Sequence, residues 1–234
     1  KEAGITKVIS AGYSLEGSKK AIELSKKYDF IDATCGISPN DIPQTEEELW
    51  KVLEQIEDLI QKNNKVLAIG EIGLDYHWNK ENIDLQKLAF VTQIKMANEL
   101  GKPIVIHTRE AVMDTVTILK ENKVEKRGVF HCCPLNRELV KEALQLGFYI
   151  SFAGPVTFKN SKNANEIIQM VPLDKILIET DSPYLSPEPF RGKRNDSRNV
   201  KLVAQKIADV KNITLEEVAN FTFANAKKIF QIKD

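Results

Sequence analysis

Val66-Leu67-Ala68-Ile69-Gly70-Glu71 is a short apolar run that ends on a carboxylate. A run this short and continuously apolar suits a strand buried on both faces, as strands of a parallel sheet are. Six further runs of the same character fall at residues 7–11, 30–37, 103–107, 128–131, 148–152 and 175–178, and the run quoted extends to 66–72. Between them lie amphipathic stretches. Over 45–63 the apolar positions Leu49, Val52, Leu53, Ile56, Leu59 and Ile60 mark one face of a helix, and Thr45 with Glu48 has the spacing of a capping box. A second helix is expected over 82–100, with Leu85, Leu88, Ala89, Thr92 and Met96 inward and Gly101 as its stop. A third spans 136–146 and closes at Gly147; Thr214 and Glu217 cap a fourth, and 225–230 reads as a terminal helix.

Strands that alternate with helices imply a parallel sheet, either closed into a barrel or open and doubly wound. The open form usually carries a glycine-rich phosphate loop after its first strand. Here that position reads Ser10-Ala11-Gly12-Tyr13-Ser14, which is neither G-x-G-x-x-G nor a P-loop. The expected fold is therefore α/β, a TIM (β/α)8-type barrel, in a single domain over 1–234, because no repeat, low-complexity tract or linker interrupts the pattern. A closed barrel needs eight strands and seven are counted. Lys1-Glu2-Ala3-Gly4 reads as the tail of a helix with its C-terminal glycine, so the first strand and most of the first helix are expected to lie ahead of Lys1.

Composition narrows the function classes. A chain of 234 residues can hide roughly 70% or more of its unfolded surface. Lys plus Arg (33) equals Asp plus Glu (33), which argues against a uniformly basic nucleic-acid binder but leaves room for a local positive cleft. Cys35, Cys132 and Cys133 offer no C-x-x-C spacing, so neither a disulfide framework nor a structural zinc site is expected; a reducing, cytoplasmic setting is. No apolar run approaches the roughly 18 residues of a membrane span, and no obligate protein partner is evident.

In barrels of this type the chemistry stands at the C-terminal ends of the strands. Those positions deliver Glu71, His107, His131 and Asp181. A lone histidine at the end of a buried strand is more often a hydrogen-bonded core residue than a ligand. Four imidazole and carboxylate residues at four corresponding strand ends reverse that weighting. The donor set suits one or two divalent ions (Mg, Mn, Zn or Ni), and such ions can activate water against a phosphoester. His77 falls on a loop beyond its strand and reads as a solvated histidine, while Cys132 and Cys133 read as packing residues. Arg191, Lys193 and Arg194, set among Pro187, Pro189 and Gly192, form a basic loop above the barrel mouth. Taken alone it would be a solvated loop; its closeness to Asp181 makes it a candidate phosphate holder.

Gly70-Glu71-Ile72-Gly73-Leu74-Asp75, Ile106-His107-Thr108-Arg109, Phe130-His131-Cys132, Glu179-Thr180-Asp181-Ser182-Pro183-Tyr184, Arg191-Gly192-Lys193-Arg194-Asn195 and Asn225-Ala226, in this order, resemble the TatD family of metal-dependent deoxyribonucleases. The resemblance covers essentially the whole chain. It implies an amidohydrolase-like TIM barrel in which Glu71 ligates and bridges two ions and His107 and His131 hold one. Asp181 would hold the other and help deprotonate the attacking water. It further implies hydrolysis of DNA phosphodiesters, with single strands as substrate and a 3'–5' exonucleolytic action, and Arg191 to Asn195 steadying substrate or shaping the mouth. Two departures stand out: the family's first strand carries a His-x-His pair that this chain does not supply, and Ser38 stands where relatives tend to place histidine. The competing readings are an amidohydrolase or esterase acting on a small-molecule or aminoacyl ester, and an inactive barrel serving as a binding protein.

Overall fold

The computed structural model describes residues 1–232. The chain divides into two compact units, Lys1–Gly128 and Val129–Asp234. Seven strands follow one another in chain order, and every pairing described is parallel.

In the first unit the strands are β1 (Val8–Ser10), β2 (Ile31–Cys35), β3 (Val66–Asp75) and β4 (Ile104–Arg109), with the helices α1 (Leu15–Lys27), α2 (Glu46–Gln61), α3 (Ile83–Glu99) and α4 (Val112–Glu121). The continuous apolar runs are strand interiors: Ala33, Cys35, Val66, Ala68, Ile69, Ile104 and Ile106 are fully buried. In α2 the stripe Leu49, Leu53, Ile56 and Ile60 is buried as its spacing requires, and the Thr45 side chain accepts from the Glu48 amide to start the helix. In α3 the inward face is rotated from the one expected. It holds Gln86, Ala89, Phe90, Gln93, Ile94, Met96 and Ala97, with Leu85, Leu88 and Thr92 only half-buried. Two glutamines displace leucines because each hydrogen-bonds both backbone groups of one residue outside the helix. Gln93 accepts from Ile37 N at 2.8 Å and donates to Ile37 O at 3.1 Å, and Gln86 does the same for Asp75 at 2.9 and 3.1 Å.

β3 runs three residues past Ile72, where the sequence pattern ends it at Gly73. Gly73 pairs with His107, Leu74 with Thr108 and Asp75 with Arg109. The glycine does not break the strand; it permits the pairing, since a Cβ at Gly73 would sit 2.0 Å from the His107 carbonyl oxygen. The expected helix tail at Lys1–Gly4 is a single turn, in which Gly4 N donates to Lys1 O at 2.9 Å.

The second unit contains β5 (Gly128–Phe130, whose first residue closes the first unit), β6 (Tyr149–Phe152) and β7 (Ile176–Ile178). Its helices are α5 (Arg137–Gln145), α6 (Ala164–Met170), α7 (Val200–Lys211) and α8 (Leu215–Phe230). The two helices expected after Thr214 are one: α8 runs unbroken from its Thr214–Glu217 capping box through Asn225. Asn225 is buried within it and donates to the Leu173 and Ile176 carbonyls at 2.8 and 2.9 Å, tying the helix to the start of β7. Among the described residues, no helix is long and apolar enough to cross a membrane.

The Gly73 contact gives a direct test. Gly73→Ala forces the β3–β4 pairing apart at His107, and its positive φ of 141° adds backbone strain. The expected cost is about 3 kcal/mol, a fall in Tm of roughly 6–12 °C for a chain of this size. An unchanged melting curve would mean that the contact does not constrain the strand.

Candidate metal and hydrolytic site

In the first unit, Glu71 lies within β3 rather than at its end. The pairing register with β4 shifts between Ile69 and Ile72, and a bulge of this kind re-aims one side chain while the strand continues. The Glu71 amide leaves the β4 ladder and donates to Gly12 O at 2.9 Å. The Glu71 carboxylate then meets His107, Oε1 to Nδ1, at 3.1 Å. The other ring nitrogen of His107, Nε2, stands 2.9 Å from Asp75 Oδ2.

Asp75 fixes what this histidine can do. It is fully buried, and it also accepts from Asn40 Nδ2 at 3.2 Å, His77 N at 2.9 Å and Trp78 N at 3.0 Å. Burial alone would push its carboxyl up. The His107 ring, the Trp78 amide and the Asn40 amide outweigh that effect and hold it well below the usual carboxylate range. An ionised Asp75 accepts a hydrogen bond from His107 Nε2, so Nδ1 is the nitrogen that faces Glu71. An imidazole nitrogen 3.1 Å from a carboxylate oxygen calls for a cation between them, either a proton or a metal ion. A carboxylate that orients a histidine whose second nitrogen points at another carboxylate is the arrangement by which proteins prepare an imidazole for a divalent ion. The residues fit such an ion. Nearby, burial raises the Asp41 carboxyl against the Ser38 hydroxyl, which donates to it at 2.8 Å, and the Glu71 charge raises it further. Ser38 thus holds a neighbouring acid in place.

The second unit repeats the device. His131 follows β5 by one residue, and its Nδ1 lies 3.4 Å from Glu179 Oε2, one residue past β7. Glu179 also accepts from the Cys132 amide, whose residue turns through a left-handed conformation at φ 36°. Burial raises the Glu179 carboxyl, and His131, the Cys132 amide and the Ser151 hydroxyl together bring it below its ordinary value. Asp181 lies two residues beyond Glu179, half-buried, also left-handed at φ 56°. Cys133 is buried, as a packing residue should be.

The basic loop is ordered by its own contacts. Asn195 is buried; its Nδ2 donates to Thr180 O and Tyr184 O at 2.7 Å each, and its Oδ1 accepts from Asp196 N and Asn199 Nδ2. Its whole hydrogen-bonding capacity goes into the shape of the loop beside Asp181. Arg191 donates to Asn160 Oδ1 at 2.9 Å and lies over the Phe158 ring at 4.1 Å, while Lys193 and Arg194 are exposed. His77 lies exposed on the turn after β3, as expected of a solvated loop residue, and its Nδ1 pairs with Glu110 at 2.6 Å. Asp75, Glu179 and Asp41 were not singled out from sequence as functional. Asp75 and Glu179 do sit in the quoted motifs, four residues after Glu71 and two before Asp181.

A sequence profile described as TatD related DNase matches residues 1–231. An uncharacterized metal-dependent hydrolase of Bacillus subtilis, YabD, is 45% identical over 230 residues, 97% of this chain and 88% of that protein. The uncharacterized metal-dependent hydrolase YcfH of Escherichia coli K12 is 39% identical over 228 residues, 96% and 83% of the two chains. Among solved structures, the TatD homologue YJJV of Escherichia coli superposes with a TM-score of 0.93 at 24% identity, covering 99% of this chain and 89% of that one. An uncharacterized amidohydrolase of Saccharomyces cerevisiae gives 0.85 at 20% identity, covering 97% and 89%. The fold is the α/β TIM-barrel type, and the protein is a metal-dependent hydrolase. The chain belongs to the TatD-related DNase family.

If Asp75 and Glu179 orient the two histidines, Asp75→Asn and Glu179→Gln each weaken Mn(II) binding by about 10–100-fold while far-UV circular dichroism stays unchanged. Isothermal titration measures this. Unaltered affinity in both variants would assign the carboxylates to packing alone.

Proposed function

We propose that the chain hydrolyses DNA phosphodiesters, acting on single strands from the 3' end with one or two divalent ions. The candidate ligands are Glu71 and His107 in the first unit and His131 in the second, a carboxylate and two imidazoles. The observation that carries the reading is the Asp75–His107–Glu71 chain of contacts, which sets one imidazole nitrogen against each of two carboxylates. Imidazole with carboxylate and no thiolate suits Mg, Mn, Zn or Ni. A bound divalent ion supplies a lowered pKa for water and a positive charge for the phosphoryl oxygens.

The chain's own residues do the rest. Asp75 and Glu179 keep His107 and His131 in fixed tautomer and orientation, so no reorganisation is needed as charge develops. The Asp181 carboxylate accepts a proton from the attacking water. Arg191, Lys193 and Arg194 bring positive charge to a protein of zero net charge, which suits a phosphodiester and would be wasted on a neutral amide. The side chain of Asn195 keeps that loop in register with Asp181.

A 3'-labelled or 5'-labelled single-stranded oligonucleotide tests the proposal. Cleavage is expected in Mn or Mg, progressive from the 3' end, abolished by EDTA, and lowered in kcat by roughly 100-fold or more in Asp181→Asn. Cleavage of aminoacyl esters or small amides with DNA left intact would replace the nuclease with an amidohydrolase or esterase.

A further inference from the structure

The turn after β3 presents a large aromatic surface to solvent. Trp78 is 70% exposed, yet the turn that carries it is held at every residue. Tyr76 N donates to Arg109 O at 2.9 Å, and the Tyr76 hydroxyl donates to Asp114 Oδ2 at 2.7 Å. His77 N and Trp78 N both donate to Asp75 Oδ1, and the His77 ring pairs with Glu110. The His77 ring stands edge-on to the indole with centroids 4.7 Å apart, and the Arg109 guanidinium lies over the ring at 5.3 Å. An exposed indole on a loose loop would be unremarkable. Here five polar contacts fix the turn that carries the indole, the His77 ring and Arg109 lie against it, and its exposed apolar surface suits ligand stacking.

Its place in the fold points to the ligand. Asp75 holds the Trp78 amide through one oxygen and the His107 ring through the other, so the indole and the candidate metal ligand hang on a single carboxylate. Arg109 adds a positive charge beside the aromatic face. A flat π-surface next to a guanidinium, set at fixed distance from a phosphoester-cleaving centre, matches the base and phosphate of one nucleotide of a single strand. A small amide or ester would use neither. We propose that Trp78 is a stacking platform for a base of single-stranded DNA and that Arg109 assists it electrostatically. This rests on the nuclease reading of the same site.

Two tryptophans make the test clean. Trp50 lies on α2, its Nε1 donating to Glu46 Oε1 at 3.0 Å, and Trp50→Phe leaves Trp78 as the chain's one indole. In the Trp50→Phe, Asp181→Asn chain with Mn, an oligothymidylate is titrated against a fully abasic oligonucleotide of equal length and charge. Stacking predicts quenching of the Trp78 emission by the thymidylate and binding tighter than the abasic strand by roughly tenfold or more. Trp78→Ala, made in the same background, removes that advantage, and Trp78→Phe keeps most of it. Equal binding of the two strands, or thymidylate binding untouched by Trp78→Ala, overturns the platform while cleavage by the wild-type chain leaves the nuclease standing. A wild-type chain that neither binds nor cleaves either strand overturns both.

Discussion

Asp75 receives four N–H groups where water does not reach: the His107 ring, the Asn40 amide, and the backbone of His77 and Trp78. A buried carboxylate without such donors would take up a proton or pull the site apart. With them it remains a fixed negative charge, and two features follow from it. The His107 ring is locked with Nε2 toward Asp75 and Nδ1 toward Glu71. The turn after β3 is clamped. The end of β3 is itself held from the other side by Gln86, which hydrogen-bonds both backbone groups of Asp75. In the first unit the candidate ligands Glu71 and His107 are therefore arranged around one residue, and in the second unit Glu179 stands beside His131.

Much of this was legible in the sequence, for physical reasons that differ from residue to residue. Strand interiors such as Val66–Ile69 and Ile104–Ile106 announce themselves, since burial on both faces leaves no polar alternation. His107 and His131 were found because imidazole and carboxylate residues recur at four corresponding strand ends, which outweighs the core reading of either histidine alone. Helix starts at Thr45 and Thr214 were legible from their capping pairs with Glu48 and Glu217. Missed were the features that depend on two distant segments at once. The Glu71 bulge exists only against β4. Gly73 looks like a strand breaker until the His107 carbonyl is placed against it. The inward face of α3 includes Gln86 and Gln93, polar residues whose partners are backbone groups 11 and 56 positions away.

The carboxylates that orient the histidines were overlooked for the same reason. Asp75 lies four residues after Glu71 and Glu179 two before Asp181, and nothing in local pattern separates an orienting acid from a ligand. The signal that would have found them is spacing: a carboxylate adjacent to each strand end that carries a ligand, in a chain where buried acids need partners. The division of α8 into two helices came from the stretch between Val218 and Ile229, where aliphatic periodicity lapses. Its continuity is maintained by Thr222 and Asn225 on the buried face, the latter through hydrogen bonds rather than apolar contact.

The loop that carries Arg191 and Arg194 shows how a neutral chain can concentrate charge where it is useful. Asn195 spends its amide on the loop's shape, Phe158 and Asn160 hold Arg191, and the exposed cations then face solvent from a fixed backbone. Preorganisation of this kind, in the loop as in the Asp75 network, is the common thread of the account. It is tested most directly by diffraction from crystals of the chain grown with Mn(II), with data collected at the manganese edge. The account predicts an anomalous peak at about 2.0–2.3 Å from both Glu71 and His107 Nδ1, with Asp75 still bonded to Nε2. A peak elsewhere, with His107 Nδ1 bonded to Glu71 through a proton, would contradict it.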